Sequence, residues 1–207
     1  MLTRIGTHAA AGDAVDLLLE CHERIRSFLA IARRIAEAGT SEPGAVVEAA
    51  ARVRRYFTEA LPLHAQDEEE SILPRLRGLD PVVDAELEAM AREHREHERP
   101  LRALVGACEQ LARAPESLPD LAPVVEEATA ELERHFAEHL GREEAVIFPA
   151  VRRLLDRSAD AAIVGEIRAR RGAGMSRQDA GAGSSGVSSF TQVPSGHHAP
   201  RSAPKAP

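Results

Sequence analysis

Tryptophan is absent from the 207 residues, tyrosine occurs once, and aromatics make up only 3% of the chain. β-Sheet cores draw heavily on aromatic and β-branched residues, so this composition argues against an all-β fold. Two cysteines, Cys21 and Cys108, are too few for a disulfide framework and form no Cys-x-x-Cys zinc motif. Such sparing use suits a reducing compartment. No run is apolar enough to span a bilayer, and the start, M-L-T-R-I-G-T-H, lacks the apolar stretch of a secretory signal. Acidic residues outnumber basic ones by 33 to 26, for a net charge of -7, so there is no basic surface for nucleic acid. The expectation is a soluble, cytoplasmic protein with no nucleic-acid and no membrane partner.

What is present is helix-forming material. Hydrophobic residues make up 43% of the chain, and Ala, Leu, Glu and Arg dominate, all good helix formers. Apolar residues recur at helical spacing from Ala11 to about Ala38. The stretch G-T-S-E-P-G (39–44) ends that helix. A second helix is expected from Ala45 to about Arg75, kinked or split at Pro62. R-G-L-D-P (77–81) breaks the chain again, with Pro81 suited to a first helical position. A third helix runs to about Ala114, with a further kink expected at Pro100. After the turn 114–120, a fourth runs from about Leu121 to Asp156. Four amphipathic helices joined by short turns predict an all-α, up-down four-helix bundle over residues 12–156. Residues 157–171 read as a short fifth helix that docks on it. From 172 to 207 the composition turns to Gly, Ser and Pro. That stretch cannot bury enough surface to offset its ordering entropy and is expected to be a disordered tail.

Two stretches repeat one pattern. H-A-Q-D-E-E-E-S-I-L-P begins at His64 and H-L-G-R-E-E-A-V-I-F-P at His139; each has a glutamate four residues after the histidine and a proline ten after it. The repeat extends to the other two helices. The stripe Val15, Leu18, His22, Ile25, Leu29, Ala32, Ala36 aligns with Leu87, Met90, His94, His97, Leu101, Leu104, Cys108. Likewise Phe57, Leu61, His64, Glu68 aligns with Leu132, Phe136, His139, Glu143. The first helix pair is a degenerate copy of the second.

Imidazoles and carboxylates therefore occupy stripe positions otherwise held by Leu, Ile and Met. A lone buried carboxylate costs several kcal/mol unless it is paired. A metal pair resolves the conflict. Residues four apart share a helix face, so His64 with Glu68, and His139 with Glu143, each offer a nitrogen and an oxygen to one region. His22 and His94 add a nitrogen each. Imidazole with carboxylate suits iron, manganese or zinc, and two carboxylates able to bridge favour a dinuclear site. The ferritin-like Glu-x-x-His pattern does not occur anywhere in the chain. His97, on the same stripe, is a further candidate ligand, although its counterpart in the repeat is Ile25, which favours a packing role. His135 lies off the main stripe, and in the run D-E-E-E (67–70) Glu69 and Glu70 read as a solvated face, with Glu68 the candidate ligand.

On His22 in E-C-H-E-R-I, E-H-R-E-H-E around His94, and the doubled His-x-x-x-Glu-Glu ending in Leu-Pro or Phe-Pro, the chain resembles haemerythrin-like (HHE, cation-binding) domain proteins. The resemblance implies a non-haem di-iron pair, carboxylate- and oxo-bridged, with manganese or zinc as less favoured occupants. It implies the metal ligands His22, His64, Glu68, His94, His139 and Glu143, and as partner a small diatomic ligand or peroxide. Oxygen carriers of the family use five histidines, two of them four apart on the third helix; here His94 and His97 are three apart, a departure that tells against reversible oxygen carriage.

Three functions remain open at this point. The first is a di-iron protein that binds or senses oxygen, nitric oxide, iron or oxidants. The second is a di-iron enzyme that decomposes peroxide or reduces nitric oxide. The third is a metal-free helical interaction protein.

Overall fold

A computed structural model describes residues 12–38 and 43–182. It contains five helices and, among the described residues, no strand. They are α1 (Ala14–Glu37), α2 (43–76), α3 (Pro81–Arg113), α4 (118–154) and α5 (Arg157–Ala182). α1 to α4 form the expected bundle, and α5 packs across one end of it. No helix among the described residues is long and apolar enough to cross a membrane.

The helix ends follow local chemistry. Asp13 caps α1: its carboxylate accepts from the Asp16 N–H at 2.8 Å, and the Asp16 side chain accepts from the Asp13 N–H in return. α3 begins with Asp80 as cap and Pro81 in the first turn. The link from α2 to α3 turns at Gly78, whose φ of 81° lies in the left-handed region that glycine enters without strain.

Three prolines leave a common mark. α2 and α4 carry π-helical turns at Tyr56–Ala60, Asp67–Ile72 and Glu143–Ile147, each just ahead of a proline, at 62, 74 and 149. A proline inside an α-helix meets the carbonyl four residues back. The widened turn relieves this by shifting the register one residue. The N–H of the residue before each proline reaches five back, from Leu61 to Tyr56, Leu73 to Glu68 and Phe148 to Glu143. The kink expected at Pro62 thus takes the form of a π turn. α3 carries Pro100 without interruption of the helix.

The core is divided. One apolar cluster includes Ile25, Leu29, Leu104, Leu132 and Phe136; the other includes Leu18, Ile72, Leu87, Met90, Ile147 and Phe148. Along every bundle helix, residues of the polar layer fall between the two clusters: His22, His64, Glu68, His94, His97, His139 and Glu143. α5 closes the second cluster with Ile163, Val164 and Ile167. The break expected at residue 172 does not occur; the helix continues to Ala182, through a stretch with no proline to remove a backbone donor. The rest of the expected tail, 183–207, lies outside the described residues.

Candidate metal centre

The polar layer is built from two i, i+4 pairs and two single histidines. In α2, His64 Nε2 faces Glu68 Oε1 at 3.1 Å; in α4, His139 Nε2 faces Glu143 Oε1 at 3.2 Å. The single histidines cross over. His22 of α1 points Nε2 at Glu143 Oε2, 3.2 Å away, and His94 of α3 points Nε2 at Glu68 Oε2, also 3.2 Å away. Each carboxylate thus turns one oxygen to each side of the layer.

The result is two groups of four potential ligands: His22, His64, Glu68 and Glu143, and Glu68, His94, His139 and Glu143. Within each group the donor atoms all lie within 4.8 Å of one another. Both carboxylates belong to both groups. All six residues expected from the sequence fall in this layer; five are buried and His94 is 12% exposed at its side chain. His97 belongs to neither group. It is buried against the Phe136 ring, 4.4 Å between centroids, with the His135 ring 5.7 Å away. Tyr56 also stands apart, stacked on Phe28 at 4.1 Å.

Without a cation the layer is badly satisfied. Both oxygens of Glu68, both oxygens of Glu143 and the Nε2 atoms of His22 and His64 are buried without a hydrogen-bond partner. Buried polar atoms rarely go unpaired, and this many in one place fits a group that is bound by nitrogen and oxygen lone pairs. The electrostatics agree. Burial opposes charge on His22 and His94, yet the facing Glu143 and Glu68 carboxylates outweigh it and raise them to about 10 and about 9. Burial, with Glu68 alongside, lifts Glu143 to about 8. Burial is opposed at Glu68 by His64, His22 and His94, which hold its carboxyl well below the usual range. His64 and His139 are pushed down by burial to about 4 and about 3 and stay neutral at pH 7. Protons on His22 and His94 thus supply positive charge beside the Glu68 carboxylate, while Glu143 itself keeps its proton at pH 7.

A second ring of residues holds the imidazoles. Glu144 Oε1 lies 2.8 Å from His22 Nδ1, Glu69 Oε1 lies 2.7 Å from His94 Nδ1, and Glu93 Oε2 lies 3.0 Å from His139 Nδ1. An ionised carboxylate only accepts, so each imidazole donates through Nδ1 and keeps Nε2 turned inward. Arg26 donates to Glu144 at 2.7 Å, and Arg142 pairs with Glu93. From the sequence, Glu69 and Glu144, directly after the candidate ligands, read either as surface residues or as supports behind them; Glu93 was missed. Their adjacency to the candidate ligands was the available signal.

In the D-E-E-E run the burial of Asp67 was not foreseen. Glu69 and Glu70 are exposed, but Asp67 is fully buried. Arg170 and Arg171 of α5 donate to its two oxygens at 2.7 and 3.2 Å. Burial pushes the Asp67 carboxyl up, and the two guanidiniums counter this in part.

Beside the layer is a cavity of about 360 Å³, lined by His64, His94, His97 and His139 together with Phe57, Leu61, Leu101 and Phe136. Its walls are mostly apolar, with four imidazoles among the lining residues.

The family model described as the Hemerythrin HHE cation binding domain matches residues 13–151, well over half of the chain. No curated protein matches it.

Proposed function

We propose, for a chain that belongs to the hemerythrin HHE cation-binding family, that the layer holds a non-haem di-iron pair which binds or senses a small ligand: oxygen, nitric oxide, peroxide or iron itself. One ion would be held by His22 and His64, the other by His94 and His139, with Glu68 and Glu143 shared between them. The observation that carries this reading is the sharing: each carboxylate directs one oxygen to each histidine pair. A mononuclear site has no use for two such carboxylates.

Imidazole and carboxylate donors of this mix suit iron, and an iron pair bound here would supply a ferrous/ferric couple beside the cavity that His64, His94 and His139 line. The chain's own residues do the rest. Glu144, Glu69 and Glu93 fix ring orientation at three imidazoles. The mostly apolar cavity wall suits a small uncharged molecule.

The cavity also favours a second reading, an enzyme that decomposes peroxide or reduces nitric oxide. His97 lines the cavity without belonging to either ligand group, so its ring is available to exchange a proton with a molecule held there.

Metal content per chain with an ultraviolet-visible spectrum, taken anaerobically and then in air on protein free of a histidine tag, tests the first reading. About two irons per chain and new near-ultraviolet charge-transfer absorption in air are expected. No stoichiometric metal after reconstitution with ferrous iron would leave a plain helical bundle. Turnover of peroxide by the loaded protein, lost in His64→Ala, would favour the enzyme; a reversible adduct without turnover would favour the binding protein.

A further inference from the structure

The two halves of the layer match closely where the candidate ligands touch. The contact of His22 Nε2 with Glu143 and that of His94 Nε2 with Glu68 are both 3.2 Å, and the supports of their Nδ1 atoms are 2.8 and 2.7 Å. His64 and His139 face their own glutamates at 3.1 and 3.2 Å. Among the four Nδ1 atoms the match fails at one pair. His139 Nδ1 has Glu93, which Arg142 holds in turn, whereas His64 Nδ1 is buried with no hydrogen-bond partner.

The repeat explains the gap. Glu93 directly precedes His94, and the residue directly before His22 is Cys21. Cys21 carries no carboxylate, and its Sγ takes a hydrogen bond from Arg171 at 3.1 Å. Arg142, directly before Glu143, likewise corresponds to Asp67, directly before Glu68. On the His64 side the charged groups are therefore committed to one another, Asp67 with Arg170 and Arg171, and none supports the imidazole.

We propose that Glu93 is a positioning residue that makes the two metal positions unequal, so that the His94/His139 position fills first and holds its ion more tightly than the His22/His64 position. The inference rests on the two-ion reading above and adds an order of loading to it. A carboxylate on Nδ1 fixes the tautomer with the Nε2 lone pair free and holds the ring in place before an ion arrives. His139 enters with both conditions met. His64 faces Glu68 through Nε2 but has no partner on Nδ1 to hold the ring from behind or to select the tautomer with Nε2 free.

The test is an anaerobic titration of the metal-free full chain with Co(II), followed by visible absorption and by calorimetry. Two resolved steps are expected, the first tighter by roughly 10–100-fold, the usual weight of such a supporting partner. His64→Ala should spare the first step and abolish the second; His139→Ala should weaken the first. Glu93→Ala should weaken the first step until the two merge and shift the absorption of the first ion. Glu93→Gln, which keeps an acceptor without the charge, should recover part of the difference. Circular dichroism of each metal-free variant reports whether the fold is kept. Two ions bound in one merged step by the unmodified chain, a first step lost in His64→Ala, or a titration unmoved by Glu93→Ala in a folded protein would each overturn the inequality while leaving the two-ion site standing. No bound Co(II) or Fe(II) at all would sink the site and the inequality together.

Discussion

The α1–α2 half and the α3–α4 half present the same imidazoles and carboxylates to the centre but support them with charges of opposite placement. In the second half the supporting charges come from within the bundle: Arg142 of α4 pairs with Glu93 of α3, and Glu93 holds His139. In the first half the position of Arg142 is taken by Asp67, and the cations come from α5, through Arg170 and Arg171. Glu166 of α5 adds bonds to Arg75 and Ser71, both at 2.6 Å. A buried aspartate next to Glu68 would be untenable without those guanidiniums. The fifth helix is thus part of what makes the first half stable. The comparison teaches that the repeat is held strictly where donor atoms converge and is free to diverge one residue away, provided that each buried charge is still met.

The comparison breaks most sharply at the shared carboxylates. Because Glu68 and Glu143 serve both halves, Glu68→Ala should abolish binding of both ions, while His22→Ala should cost only the ion of the first half; metal analysis per chain separates the two outcomes.

The supporting pairs should differ next. Asp67→Ala removes a fully buried anion and leaves Arg170 and Arg171, at 17% and 30% exposure, without it. Loss of about 2–3 kcal/mol is expected in urea unfolding of the metal-free protein, short of a fully buried pair because the guanidiniums still reach water. Arg142→Ala, whose side chain is 41% exposed, should cost about 1 kcal/mol or less.

Acidity sharpens what the halves share. His22 and His94 bind protons more tightly in the metal-free fold, up to about 10 and about 9, than the value of about 6.5 expected for an unfolded chain. Their contribution to stability is full below about pH 6.5 and is lost as pH rises through 9 to 10. An incoming cation must displace these protons and that of Glu143. Metal binding at pH 7 should therefore release protons and tighten as pH rises, which calorimetry in buffers of different ionisation enthalpy would reveal.

The smallest effect is expected outside both halves. His97→Leu should leave metal content and the order of loading unchanged, because His97 lies in neither ligand group.

Much of this was legible in the chain. Helical periodicity is a local property, so four long helices could be drawn from the apolar spacing, with ends near the observed ones. The His-x-x-x-Glu pairs were equally readable, since residues four apart share a helix face whatever the helix docks against. Their repetition named the partners in the other two helices. Pro62 was legible as a kink or split in its helix, but not that π turns accommodate Pro62, Pro74 and Pro149 and let the carbonyls of Glu68 and Glu143 accept bonds from five residues on.

Sequence by itself determined the helices, the repeat and the six residues at the centre, because each depends on spacing within one helix or on its duplicate. Only the tertiary structure decided that Asp67 is buried beside Glu68, that Glu93 reaches His139 while His64 Nδ1 goes unsupported, and that α5 supplies the cations for Asp67. Those outcomes depend on how helices far apart in the chain meet side by side, and a hydrogen bond across such a contact leaves no period in the sequence.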